Sequence, residues 1–299
     1  MNAILPNFFC GGAPKAGTTT IYDILKGHPD ICLSSFKEPR FFNDESNFNK
    51  GLKWYLDSYF GDYKNQPIIA DFTPTYLANE FAPQRIKETI GENAKFVFIL
   101  RHPVDRAYSH YLHNRRDQKE ELSFEEALKV ESQRTEKYLA ERDFVNLNRF
   151  EYVRLGLYSD DVKRYQDIFG RENVRVYIFE ECFKDVRKTI IDLLKFLNID
   201  YSVELQTDKI SNQSSKARLK FVKKILNEKS IFKSALKIMI PSEVMRRKMR
   251  NKLQSVNNKP VAYGRIDSIE KSKLLNMYFK GDLIAIEENL GVNLDVWRI

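Results

Sequence analysis

Along residues 1–200, short apolar runs alternate with longer stretches whose apolar positions recur at helical spacing. Lys95–Leu100 (KFVFIL) and Val174–Phe179 (VRVYIF) are rich in β-branched and aromatic residues, the composition of central strands. Asn7–Gly12, Ile31–Leu33 and Ile68–Asp71 complete the predicted strands. Helical patterns fill the gaps at Thr18–Lys26, Lys50–Phe60, Ala82–Thr89, Val104–Arg116, Ser123–Ser132, Tyr158–Ile168 and Val186–Leu197. This alternation predicts an α/β fold, a P-loop-type central parallel sheet flanked by helices, with right-handed crossovers. Ligands then belong at the carboxyl ends of the strands. After Asp200 the strand signal stops, and the pattern predicts helices at Lys216–Asn227, Ile231–Ile240, Ser242–Leu253 and Ile269–Asn289, with breaks at Pro241 and Pro260. The expected organisation is one domain over 1–299, an α/β core to residue 200 and a basic helical extension, 201–299, packed on it.

Composition excludes several classes. With 42% hydrophobic residues, 21 Phe and 15 Tyr, the chain is not disordered. It has no run of ~18 apolar residues to span a bilayer and no basic leader before an apolar stretch, so it reads as cytoplasmic. Cys10, Cys32 and Cys182 are odd in number and widely spaced, which argues for core packing and against disulfides or zinc. No Cys/His set or carboxylate cluster predicts a metal. The net charge of +8 is regional: residues 215–260 hold 14 Lys/Arg against Glu228 and Glu243, a local +12 that leaves −4 elsewhere. Such a stretch suits an anionic polymer or a membrane surface. It lacks any motif that reads nucleic acid.

The chemistry begins where the first strand enters Gly11-Gly12-Ala13-Pro14-Lys15-Ala16-Gly17-Thr18-Thr19-Thr20 and a helix follows at once. Unpaired N–H groups and the positive end of the helix dipole converge at such a turn and cradle an anion. Gly12, Gly17 and Thr19 match the spacing of a Walker A loop, but Thr18 replaces its lysine, and Lys15 lies two residues before the second glycine. That suits a donor with one phosphate-linked leaving group better than a γ-phosphate. A second anion contact follows the strand KFVFIL, in Arg101-His102-Pro103 and the helix beyond. Arg101 stands at a strand's carboxyl end, Ser109 lies about two turns on, and together they offer a charged fork and a hydroxyl to a phosphate. His113 shares the helical face of Ser109. Two anion sites on one sheet edge fit a nucleotide with separated phosphates.

These motifs, PKAGTTTIYDIL, FKEPRFFN, FVFILRHPVDRAYSHYLHNRR and GLYSDDVKRYQDIFG, resemble the sulfotransferases that use 3′-phosphoadenosine 5′-phosphosulfate (PAPS), most of all the heparan-sulfate N- and 3-O-sulfotransferase branch and its bacterial relatives. The resemblance covers about residues 7 to 197 and, more weakly, Pro260 to Trp297. It implies that Pro14, Lys15, Ala16, Gly17, Thr18 and Thr19 bind the 5′-phosphosulfate, with Lys15 on the leaving phosphate. It implies that Arg101 and Ser109 bind the 3′-phosphate and that Tyr158 lies by the nucleotide. Glu38, in Lys37-Glu38-Pro39-Arg40-Phe41-Phe42, matches the acceptor's general base, and His113 matches a histidine beside the acceptor.

The chain also departs from the family. Phe72, in Asp71-Phe72-Thr73-Pro74, stands where many relatives carry a lysine, so either another residue supplies that charge or the acceptor pocket is more apolar. The family's late phosphate loop has no clear equivalent, and Ser214–Lys220, with Lys216 and Arg218, is the candidate substitute. The aromatic residues Phe41, Phe42, Trp54 and Tyr55 and the basic segment favour a glycan or glycolipid acceptor. Two alternatives stay open, a nucleotide kinase or NTPase with a deviant P-loop and an inert anion-binding module.

Overall fold

A computed structural model describes residues 5–141, 143–207, 215–217, 258–260, 264 and 266–298. Five parallel strands, β1 (Phe8–Gly12), β2 (Ile31–Leu33), β3 (Ile68–Asp71), β4 (Lys95–Leu100) and β5 (Val174–Ile178), form one sheet in the order β2-β3-β1-β4-β5. All five lie where the apolar runs put them, within a residue at each end. Their burial explains the continuous apolar runs: β1 is buried throughout, and β4 is buried from Phe96 onward. Helices α1 (Thr18–Leu25), α2 (Glu45–Phe48), α3 (Gly51–Tyr59), α4 (Ala82–Ile90), α5 (Pro103–Arg116), α6 (Phe124–Lys129), α7 (Glu131–Ala140), α8 (Phe144–Phe150), α9 (Ser159–Phe169), α10 (Phe179–Cys182) and α11 (Val186–Leu197) connect and flank the strands.

The strand order fixes the site. From β1 the chain proceeds to β2 on one side, and from β4 it proceeds to β5 on the other, so the crevice at the carboxyl ends of β1 and β4 is the topological switch point. Between these two strands the register slips at Cys10/Gly12, and Ala13 N–H reaches the Ile99 carbonyl at 2.9 Å. An aromatic layer of Phe9, Phe96, Phe98, Tyr165 and Phe169 fills the core behind it, with Phe96 4.4 Å from Phe169 and 4.9 Å from Tyr165 between ring centres.

Three expectations from the pattern need correction. Ser123–Ser132 is not one helix: a capping box between Ser123 and Glu126 starts α6, and Val130 ends it and begins α7. Ile269–Asn289 divides at Phe279 into α12 (Ser268–Tyr278) and α13 (Lys280–Leu290). The Phe279 ring is 2% exposed and fills the space above Gly156, where a Cβ would stand 2.9 Å from its Cε1. Strands also continue past Asp200. β6 (Ser215–Ala217) pairs antiparallel with β7 (Asn258–Pro260) and runs beside α5, so the helix expected from Lys216 does not begin there and Pro260 ends a strand. Three-residue polar strands joined across some 40 residues leave no local apolar signal. The expected helices Ile231–Ile240 and Ser242–Leu253 lie outside the described residues. Among the described residues no helix is long and apolar enough to cross a membrane.

Candidate active site

The turn after β1 leaves the start of α1 open. Gly17 precedes α1 at φ 82°, and a Cβ there would sit 2.4 Å from the Phe183 ring, so only glycine fits. Among the described residues no side chain caps α1 and no acid stands in its first turn, which leaves the positive helix end open. Lys15 also takes a left-handed backbone, φ 71°, which costs a non-glycine residue about 1–2 kcal/mol. Thr18 is buried at 4% exposure, and Thr19 is exposed beside it.

Arg101 arrives from the end of β4. Its Nη1 donates to the Lys15 carbonyl at 3.0 Å, which ties the end of β4 to the turn after β1 across the switch point. Its guanidinium stacks on Phe179 at 4.8 Å, and its buried Nε has no hydrogen-bond partner among the described residues. Its backbone is held too: the buried Tyr158 Oη donates to the Arg101 carbonyl at 2.9 Å. Tyr158 is therefore placed as a support for Arg101, with its hydroxyl already committed. Asp282 of α13 anchors that support by accepting from Tyr158 N–H at 2.8 Å and Ser159 N–H at 2.9 Å. Ser109 lies partly exposed on α5, whose first turn is capped by the ring of His102.

The third component is the loop after β2. Glu38 has φ 63°, and Arg40 has φ 56°, two strained positions within three residues. A buried scaffold holds them: Glu38 N–H donates to the Phe72 carbonyl at 3.0 Å, Arg40 N–H to Thr73 Oγ1 at 3.3 Å. Beneath, the fully buried Asp71 accepts from Tyr55, Tyr76 and Thr73 at 2.7–2.9 Å. Burial, opposed by those three bonds, pushes Asp71 up to about 6. The Glu38 carboxylate meets a cation at each oxygen, Lys37 Nζ at 3.3 Å on Oε1 and Arg40 Nη2 at 2.9 Å on Oε2. Burial would raise its pKa, but these two cations outweigh it and bring Glu38 down to about 2.

Electrostatics join the three components. Burial first, then the Arg116 cation, lowers Lys15 to about 8, with Arg101 adding to the effect and Glu38 and Asp117 opposing it. Burial together with Lys15 and Arg116 brings His113 down to about 3, so its ring is neutral. Arg116 Nη2 donates to His113 Nδ1 at 2.8 Å, which leaves the ring proton on Nε2, 3.5 Å from Asp117 Oδ2. Lys15 thus feels the charge of Glu38, and the neutral His113 ring feels the charges of both, so three separate segments meet in one cluster.

A family model described as the sulfotransferase domain matches residues 5–257. The chain belongs to the sulfotransferase domain family. It is similar to the bifunctional heparan sulfate N-deacetylase/N-sulfotransferase 4 of Mus musculus, 30% identical over 220 residues, covering 68% of this chain and 24% of that one. It is also 26% identical to the human heparan sulfate glucosamine 3-O-sulfotransferase 5 over 196 residues, covering 65% of this chain and 54% of the other. The chain therefore spans about a quarter to a half of the length of these curated relatives. A sulfotransferase from Alicyclobacillus acidocaldarius has the same fold, with TM-score 0.69, 25% identity and 99% and 100% of the two chains covered.

Within this site the sequence misjudged some side chains and missed others. Phe72 is wholly buried, edge-on to Phe8 at 5.9 Å and Tyr22 at 5.3 Å, so it does not line an apolar pocket. Phe41, Phe42 and Tyr55 are likewise core. Phe41 stacks on Tyr55 at 4.3 Å, so these rings anchor the Glu38 loop and offer no platform to an acceptor, while Trp54 is half-buried under Lys50. Lys37, Arg40, Arg116, Asp117 and Asp282 were missed, because charged residues in loops and on helix faces carry no periodic signal. Arg218 lies outside the described residues.

Proposed function

We propose that this sulfotransferase moves the sulfuryl group of 3′-phosphoadenosine 5′-phosphosulfate to a hydroxyl or amine of an acceptor, a carbohydrate in the first place. The link between Arg101 and the Lys15 backbone carries this reading, because it joins the turn after β1 to the end of β4 across one crevice, where two anion contacts would lie side by side. The donor's charge fits what lies there: an uncapped helix end, a buried Arg101 Nε with no partner among the described residues, and Lys15. The loop of Pro14, Lys15, Ala16, Gly17, Thr18 and Thr19 takes the 5′ end, and Arg101 and Ser109 take the 3′-phosphate, with Tyr158 holding Arg101 in place.

Bound donor supplies an activated sulfuryl group. Glu38 accepts the acceptor's proton as the acceptor atom bonds to sulfur, and the electron pair of the breaking sulfur–oxygen bond leaves on the 5′-phosphate. Lys15 and the N–H groups of α1 face that growing charge, where a donor typically contributes about 10²–10³ in turnover. His113, neutral and carrying its proton on Nε2, offers a hydrogen bond to the acceptor.

A glycan or glycolipid acceptor is supported by the heparan sulfate named in both relatives and by the +12 charge of residues 215–260, which also suits peripheral contact with an anionic membrane. Neutralising Arg246, Arg247 and Lys248 then raises the acceptor KM at low salt and spares donor affinity; unchanged acceptor kinetics would refute this function for the segment. The function itself is tested by calorimetry with adenosine 3′,5′-bisphosphate in EDTA, and by transfer from ³⁵S-labelled donor across an acceptor panel. Binding plus transfer is expected. Mg²⁺-dependent ATP binding without bisphosphate uptake would point to the kinase or NTPase reading, and binding without transfer to any acceptor would point to an inert module.

A further inference from the structure

The lysine that Phe72 does not supply has a structural replacement. Lys37 Nζ lies 3.4 Å from Thr18 Oγ1, at the head of α1, and 3.3 Å from Glu38 Oε1, with its side chain only 16% exposed. It is therefore the cation between the anion cradle and the carboxylate assigned as base.

We propose that Lys37 is a second transfer-site lysine: it sits on Glu38 while the cradle is empty and passes to the donor's sulfonate when the cradle fills, freeing Glu38 Oε1 to take the acceptor's proton. This deepens the reading of the function above and rests on it. Three observations carry it. Both Glu38 oxygens are occupied by cations, so the carboxylate has to shed one before it can accept a proton in line with an acceptor. Lys37 is the looser of the two. Its contacts at 3.3 and 3.4 Å exceed the ~2.7–2.9 Å of a firm charge-assisted bond, whereas Arg40 makes one at 2.9 Å. Lys37 is also the one next to the cradle: its other neighbour is the first residue of α1, and its flexible stem lets a compact ammonium cross a short gap.

Other charged groups act in the same space. Lys15 on the phosphate loop, Asp71 on β3 and His113 on α5 each feel the Glu38 charge, and Arg40 stays on Oε2. Loss of Lys37 from Oε1 raises the basicity of Glu38, and arrival of Lys37 at the sulfonate neutralises charge on the group in transit. One movement thus couples donor binding to activation of the base.

The experiment compares wild type, Lys37→Met and Lys37→Arg. Turnover is measured with PAPS, and the titration of Glu38 is followed by ¹³C NMR of labelled glutamate carboxyls, without and with PAPS and no acceptor; Glu38→Gln assigns the resonance. In wild type the Glu38 titration moves to higher pH when PAPS binds. In Lys37→Met it already lies higher in the empty protein, PAPS moves it less, and turnover falls about 10²-fold with adenosine bisphosphate affinity changed only a few-fold. Lys37→Arg restores the empty-state titration and part of the turnover. A Lys37→Met protein that binds, titrates and turns over as wild type does would overturn the proposal and leave the sulfotransferase reading intact. A wild-type protein that takes up no adenosine 3′,5′-bisphosphate would overturn both.

Discussion

Raising the pH should weaken anion binding at Lys15 while it strengthens the fold. Burial and the neighbouring Arg116 bring this lysine from 10.5 to about 8. The shift corresponds to about 3 kcal/mol of penalty on the charged form. Below pH 8 the ammonium is present in folded and unfolded chains alike, and the fold bears the full penalty. Between pH 8 and 10.5 the folded chain releases the proton first, so stability rises with pH across that window. Anion binding runs the other way, because a bound 5′-phosphate holds the proton on Lys15 and the free protein must take it up again. With a free pKa of about 8 and a higher one in the complex, affinity for adenosine 3′,5′-bisphosphate falls about 30-fold from pH 7 to 9.5. The nearby His113 and Glu38 titrate far below this range and contribute nothing to the slope. Calorimetry at half-unit steps in pH, on wild type and Lys15→Met, measures it. The variant binds more weakly at pH 7 and its affinity stays flat with pH. A wild-type affinity that does not change from pH 7 to 9.5, or a variant with the same slope, would refute the reasoning.

Glu38→Gln should lower turnover by about 10²-fold or more and keep bisphosphate affinity within a few-fold, and comparable losses in both would reject Glu38 as the base. Tyr158→Phe removes the bond to the Arg101 carbonyl, so the bisphosphate Kd rises about five- to tenfold by calorimetry; an unchanged Kd would mean that Arg101 is held without it. Asp282→Ala takes the carboxylate from Tyr158 N–H, Ser159 N–H and Ser159 Oγ at the start of α9, and urea unfolding should show about 2–3 kcal/mol of lost stability. A loss under about 0.5 kcal/mol would mean that water replaces the cap.

The sheet was legible strand by strand because a strand buried on both faces has to be apolar along its length, as β1 is throughout and β4 is from Phe96 onward. Edge strand β5 showed through its β-branched and aromatic residues despite the exposed Arg175. The cradle was legible because glycines, a lysine and threonines follow β1 at once and a helix begins there. Glu38 and Arg101 were singled out through the motifs around them, and the structure sets Arg101 against the Lys15 carbonyl and Glu38 between two cations. The sequence did not disclose that both oxygens of Glu38 carry cations, or that the aromatic residues flanking it point inward. Either fact depends on which way a loop turns, and the Glu38 loop turns as it does because Asp71, Thr73 and Tyr76 hold it from beneath.

Taken alone, the order of residues determined the five strands of the sheet, most of the helices that flank it, the open turn after β1 and the family. These are local properties: burial period, backbone freedom at glycine, and an open helix end. Tertiary structure decided the rest. It joined Arg101 to Lys15 across 86 residues, set Tyr158 behind Arg101 and Asp282 behind Tyr158, and buried Phe72 while it brought Lys37 to the head of α1. Charge and hydrogen bonding act over a few ångströms of space whatever the separation along the chain, so only the folded arrangement fixes which groups share a proton or an anion.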